Sequence, residues 1–169
     1  MGERYKGRGS RSNPANRFER LSYDRHETPD KGLSTEFYRD RTRTILTRND
    51  SPDIGFSYSV NPYRGCEHGC VYCYARPTHE YLSLSAGLDF ETRIFVKEKA
   101  PELLRAELSR SSWKPQVIAL SGITDPYQPG ERHFRLTQGC LEVLNEFRNP
   151  ASVVTKSHLV VRDIELLAE

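Results

Sequence analysis

The sequence predicts an α/β fold with parallel strands, and three observations carry that prediction. Short runs rich in Val, Ile and Leu alternate with longer stretches whose apolar residues recur at helical spacing. Runs dense in Gly, Pro, Ser and Asp punctuate the alternation. Each strand-like run that matters is followed by a loop rich in polar or cysteine residues, and then by a helical stretch. Apart from that alternation there is no internal repeat.

Taken in order, residues 1–34 are basic and poor in apolar periodicity, and are expected to form a largely disordered tail. Its Arg4, Lys6, Arg8, Arg11 and Arg17 offer a contact to nucleic acid, set against the plainer reading of a solvated segment. Residues 35–169 are expected to form the folded domain. Within it, residues 35–50 read as an extended arm around Phe37, Tyr38, Ile45 and Leu46. Residues 56–60 alternate as a strand and lead into a cysteine-rich loop. Residues 77–84 read as helical, and 91–97 as strand-like. Residues 100–109 read as a helix with Leu103, Leu104 and Leu108 on one face and Pro101 in the first turn. Residues 116–121 have the composition of a buried strand. Residues 136–147 read as a helix stopped by Asn149-Pro150. Residues 152–156 read as a further strand, and a last helix starts near Val161. That helix shows no stop signal before Glu169, so the chain is expected to be the N-terminal part of a longer domain.

The chemistry concentrates in one loop. Cys66, Cys70 and Cys73 stand at spacing C-x3-C-x2-C. Three thiolates so close point to a metal or cluster site. A [4Fe-4S] cluster is usually held by four cysteines, so three leave one iron with an open position, and an open position distinguishes a catalytic metal from a structural one. Gly65 and Gly69 allow the backbone to come close to sulfur. A structural zinc site is the alternative, with His68 or His79 as fourth ligand. A disulfide is disfavoured, because neighbouring cysteines on one loop pair poorly and no secretory signal opens the chain.

Two further loops carry candidate residues. Residues 121–131 follow a strand and hold Ser121, Thr124 and Asp125, of which Thr124 and Asp125 are suited to hydrogen-bond polar groups of a ligand. The competing reading is a rigid turn in which Asp125 caps Tyr127 or Gln128. Lys156 ends the last strand-like run and is suited to a carboxylate, or else simply reaches solvent. Cys140, within a helix, reads as a small buried hydrophobe.

The run Cys66-Glu-His-Gly-Cys70-Val-Tyr72-Cys73 resembles the signature of the radical S-adenosylmethionine enzymes. Cys70-Val-Tyr72-Cys73-Tyr74, Ser121-Gly-Ile-Thr124-Asp125-Pro-Tyr-Gln and Val153-Val-Thr155-Lys156 resemble the spore photoproduct lyase branch. This resemblance implies a partial (β/α) barrel of the radical S-adenosylmethionine type. It implies a [4Fe-4S] cluster on Cys66, Cys70 and Cys73, whose open iron is chelated by S-adenosylmethionine. Reductive cleavage would then give a 5′-deoxyadenosyl radical, with electrons from an external donor of flavodoxin or ferredoxin type. Tyr72 is implied beside the adenine, Tyr74 near the substrate radical as a catalytic residue, and Thr124 and Lys156 as cofactor contacts. Ser121 and Asp125, in the same loop as Thr124, are further cofactor-binding candidates, Asp125 through the cofactor's ammonium. Gly122 departs from the pattern: the lyase uses a hydrogen-donating cysteine there, so the photoproduct substrate does not carry over.

The net charge of +2 is too small to imply a nucleic-acid partner by itself. A zinc- or cluster-stabilised nucleic-acid-binding module using the basic tail is nevertheless the non-enzymatic alternative. No apolar run approaches the ~20 residues of a membrane helix. Clustered free thiols without a signal segment lead to the expectation of a reducing, cytoplasmic setting.

Overall fold

The computed structural model describes residues 7–18 and 34–168. The expectations for Arg4, Lys6 and residues 19–33 lie outside the described residues. Those residues form a mixed α/β structure with two small open sheets, neither closed on itself.

The larger sheet has the order β2-β3-β6-β7, built from β2 (Leu46–Arg48), β3 (Tyr58–Val60), β6 (Ile118–Leu120) and β7 (Ala151–Val153). β3, β6 and β7 run parallel, with Val60 beside Leu120 and Leu120 beside Val153. β2 is an antiparallel edge strand. The central β6 is buried along its whole length, as a strand covered on both faces requires. The smaller sheet places β5 (Arg93–Val96) between β1 (Glu36–Arg39), which is parallel to it, and the two-residue β4 (Tyr63–Arg64), which is antiparallel.

The main core lies where α2 (Ala100–Leu108) and α4 (Leu136–Glu146) pack together against the larger sheet. Leu104 and Leu108 meet Leu141, Leu144 and the fully buried Cys140 over Val60, Ile118 and Leu120. The remaining helices are short: α1 (Leu88–Thr92), α3 (Glu131–Phe134) and α5 (Ile164–Ala168). Residues Arg76–Leu82 and His158–Asp163 form 3₁₀ turns. Among the described residues no helix is long and apolar enough to cross a membrane.

Several elements differ from the sequence expectation, each for a local reason. Glu91 and Thr92 close α1 rather than opening a strand, because the Thr92 hydroxyl donates back to the Leu88 carbonyl at 2.8 Å. The expected strand 152–156 stops at Val153. Its continuation is held instead by Asp125, which accepts from the Thr155 hydroxyl at 2.6 Å and the Lys156 N–H at 3.0 Å. The extended arm 35–50 contributes β1 and β2, one to each sheet.

Residues 7–18 depart most from expectation. They are not a free tail but an arm bonded along the cysteine side of the molecule. Gly9 and Ser10 donate their N–H groups to the buried Glu91 carboxylate at 2.8 and 2.7 Å. Asn13 accepts from the Leu88 N–H at 2.9 Å, capping α1 from outside. Arg17 grips Glu80, and Phe18 stacks on Tyr81 at 5.4 Å. Hydrogen bonding and not apolar burial holds this arm, so composition alone did not reveal it.

Candidate functional site

The three parallel strands all exit at one edge of the larger sheet, where their following segments meet. Past β3 and β4 comes the cysteine loop, past β6 the 121–131 loop, and past β7 the segment containing Thr155 and Lys156. In open parallel sheets, ligands characteristically bind beyond the carboxyl ends of the strands.

The cysteine loop is a series of tight turns. The Cys66 N–H donates to the Phe90 carbonyl at 2.9 Å, Gly69 N–H to the Cys66 carbonyl at 3.1 Å, and Cys73 N–H to the Cys70 carbonyl at 3.2 Å. Gly69 takes φ +59, and a Cβ there would stand 2.0 Å from a Glu91 oxygen. Both the left-handed backbone and the close approach therefore require glycine. All four cysteines of the chain are free thiols. Cys66 is buried, while Cys70 and Cys73 are half-buried. Burial pushes the Cys66 thiol up to about 11, opposed by backbone N–H groups of Asp125 and His68 directed at its sulfur. The Lys156 ammonium is held above its usual range, first by its hydrogen bond to Cys70. Lys156 is an exposed residue whose ammonium lies on the Cys70 side of the loop.

The 121–131 loop clamps the cysteine loop from below. The buried Thr124 hydroxyl donates to the Gly65 carbonyl at 2.7 Å and accepts from Gln128 at 3.1 Å. Gln128 accepts the Glu67 N–H at 3.0 Å, and the Glu67 carboxylate accepts the Gly130 N–H at 2.5 Å. Asp125 accepts the Tyr127 N–H at 2.9 Å, the capping turn weighed from the sequence. The same carboxylate reaches Thr155, the Lys156 backbone and, at 3.4 Å, the His68 ring. Thr124 and Asp125 are therefore occupied by the protein itself and tie three segments together. Thr124→Val is expected to destabilise the chain by about 1–2 kcal/mol, because the Gly65 carbonyl and Gln128 lose a buried partner. Urea unfolding checks this.

Tyr72 and Tyr74 project outward, 82% and 79% exposed. The Tyr74 hydroxyl donates to the Gly122 carbonyl, which holds the Tyr74 ring toward the end of β6. Gly122 has φ +125, yet a Cβ there would meet nothing closer than 3.6 Å. Backbone conformation, not space, is what disfavours a side chain at this position. Ser121 stands between β6 and Gly122, at the same edge.

Sequence reasoning missed the residues that hold the loop from outside. Arg76 donates to the carbonyls of Gly69 at 2.7 Å, Cys70 at 3.0 Å and Gly87 at 2.9 Å, and lies 3.8 Å from Glu91. An arginine three residues after the last cysteine was a usable signal. Nothing marked Glu91, whose partners Gly9 and Ser10 lie more than 80 positions away. Arg64 spends its charge on Asp40 at 2.7 Å.

The cofactor fit rests on this donor set. Among the described residues, no three His, Cys, Asp or Glu side chains converge on one point as a single ion demands. The zinc candidate His79 is buried with its Nε2 bonded to the Arg93 carbonyl at 2.9 Å. A cluster makes a different demand, since each thiolate binds a different iron and the sulfurs stand apart. Backbone N–H groups and an ammonium on the sulfurs are the kind of contact that tunes such a cluster.

No protein-family model matches the chain, and no solved structure matches it. It is similar to an uncharacterised protein of Mycobacterium tuberculosis, 47% identical over 116 residues, which is 69% of this chain and 34% of that protein. A protein of Mycobacterium bovis matches to the same extent. An uncharacterised protein of Methanocaldococcus jannaschii is 33% identical over 112 residues, 66% of this chain and 40% of that protein. The chain thus spans about a third of the length of its mycobacterial relatives.

Proposed function

We propose that this chain is the cluster-binding part of a radical S-adenosylmethionine enzyme, and that its parallel sheet is the start of a partial (β/α) barrel. The observation that carries the reading is a loop with three free thiols, Cys66 buried and Cys70 and Cys73 half-buried, at the carboxyl edge of parallel strands. Cys66, Cys70 and Cys73 would hold a [4Fe-4S] cluster with one iron free for S-adenosylmethionine. When bound, the cluster supplies the electron that cleaves the cofactor's sulfonium.

The remaining work falls to the chain's own residues. Backbone N–H groups of His68 and Asp125 and the Lys156 ammonium offset the negative charge of the thiolates. Lys156 also lies within reach of a carboxylate placed beside Cys70, which suits the cofactor's amino-acid end. Tyr72 offers an exposed ring to the adenine. Tyr74, fixed through Gly122, lies at the edge facing a substrate. Thr124 and Asp125 act as positioning residues, holding the cysteine loop to the 121–131 loop, and Ser121 completes that edge. The electrons are assigned to an external donor of flavodoxin or ferredoxin type, in a reducing cytoplasm. The substrate and the enzyme's overall reaction belong to the whole protein.

Anaerobic reconstitution with iron and sulfide tests the first step. About four irons per chain are expected, as a [4Fe-4S] cluster contains, together with brown colour and calorimetric binding of S-adenosylmethionine. Lys156→Ala is expected to retain iron and weaken that binding. A reconstituted protein that carries iron and binds no S-adenosylmethionine refutes the cofactor assignment.

A further inference from the structure

A second site lies at the other sheet. The parallel strands β1 and β5 end side by side at Arg39 and Val96. Their continuations diverge around a cleft of about 490 Å³, within the size range of small-ligand sites. Five of its lining residues are cationic (Arg39, Arg41, Arg43, Lys97 and Lys99) and two are acidic (Asp40 and Glu98).

Both acids are already paired. Asp40 binds Arg64 at 2.7 Å and accepts the Thr42 N–H at 2.9 Å. Glu98 binds Arg39 at 2.9 Å. Arg41, Arg43, Lys97 and Lys99 are left without a carboxylate within ion-pair distance among the described residues. Lys97 is the informative one. It is only 7% exposed, yet lines the cleft. Most of its side chain is enclosed, and it has no carboxylate within ion-pair distance among the described residues, so an anion in the cleft would offset the cost of holding its charge there. α2 begins at the same place, with Lys99 as its uncapped N-terminal residue, so the positive end of the helix adds to the field.

We propose that this cleft binds the phosphate group of a phosphate-bearing ligand, with Lys97 at its floor and Arg41 and Arg43 closing over it. Four unpaired cations suit a multiply charged phosphate better than a single carboxylate, and guanidinium forks match phosphate oxygens. The Lys97 ammonium, lowered to about 8 by burial and by Arg64 and partly restored by Asp40 and Cys140, is expected to take up a proton as the anion binds. Binding should therefore weaken as pH rises through about 8. The other charged groups facing it are Asp40, Arg64 and the cleft residues Arg39, Arg41, Arg43, Glu98 and Lys99.

The test is calorimetric titration of the full chain with inorganic pyrophosphate, with a short single-stranded oligonucleotide as competitor. One saturable site is expected. Lys97→Met should weaken it roughly tenfold or more, a loss of about 1.4 kcal/mol, while folding at least as well because a buried charge is removed. The surface pair Arg41→Ala with Arg43→Ala should also weaken it without disturbing the fold. Displacement by the oligonucleotide would make a nucleic-acid backbone the source of the phosphate, and failure to displace would make it a small molecule. Absence of saturable binding by either probe overturns the proposal. So does unchanged pyrophosphate affinity in a folded Lys97→Met protein.

Discussion

Cys66→Ala, Cys70→Ala and Cys73→Ala are each expected to abolish stable cluster assembly, whereas Cys140→Ala leaves it intact. Three thiolates for four irons leave one iron open and none to spare, so none of the three has a substitute. His68 is the nearest candidate to step in, but its ring is directed toward Asp125 at 3.4 Å. Cys140 is fully buried in the core between α2, α4 and the sheet, far from solvent and from any exchangeable ligand. Burial pushes its thiol well above the usual range. Iron and sulfide content after anaerobic reconstitution distinguishes the four variants. Cluster retention in Cys70→Ala would separate this loop from the cluster.

Glu91→Ala is expected to be the most damaging change outside the cysteines. Its carboxylate is fully buried and receives two N–H groups of the N-terminal arm, with Arg76 as its nearby counter-charge. Removing one partner of a buried charge pair leaves the other uncompensated, a loss of about 3 kcal/mol or more. The consequence is local as well as global, because Arg76 carries the carbonyls of Gly69 and Cys70. Urea unfolding should show a lower midpoint. Limited proteolysis should show new cleavage within residues 7–18, since the arm loses its anchor. An unchanged midpoint with a protected arm would contradict the role given to Glu91.

The apolar composition of residues 116–121 and the helical face of Leu104, Leu108, Leu141 and Leu144 made the main sheet and its helices legible, because apolar burial leaves a mark on local sequence. The cysteine loop was legible because thiols at short spacing have few uses. The 121–131 loop was legible as a contact region, though its residues serve the neighbouring loop more directly than an open space. What the sequence did not disclose was held by polar contacts over long separations. Residues 7–18 bind Glu80 and Glu91 without an apolar stripe. The strand ending at Val153 is cut short by an aspartate nearly 30 positions earlier. β1 and β5 pair into a separate small sheet, and the basic cleft appears only once those two strands lie side by side. Pairing partners of short strands leave no trace in local composition.

The central claim is that the Cys66–Cys70–Cys73 loop holds a [4Fe-4S] cluster with an iron open to S-adenosylmethionine. Electron paramagnetic resonance of the reduced, anaerobically reconstituted chain tests this most directly. The account predicts a cluster signal that changes in shape and position when S-adenosylmethionine is added, and a smaller change in Lys156→Ala. A protein that takes up stoichiometric zinc and assembles no cluster, or a cluster signal that S-adenosylmethionine leaves unaltered, would contradict it.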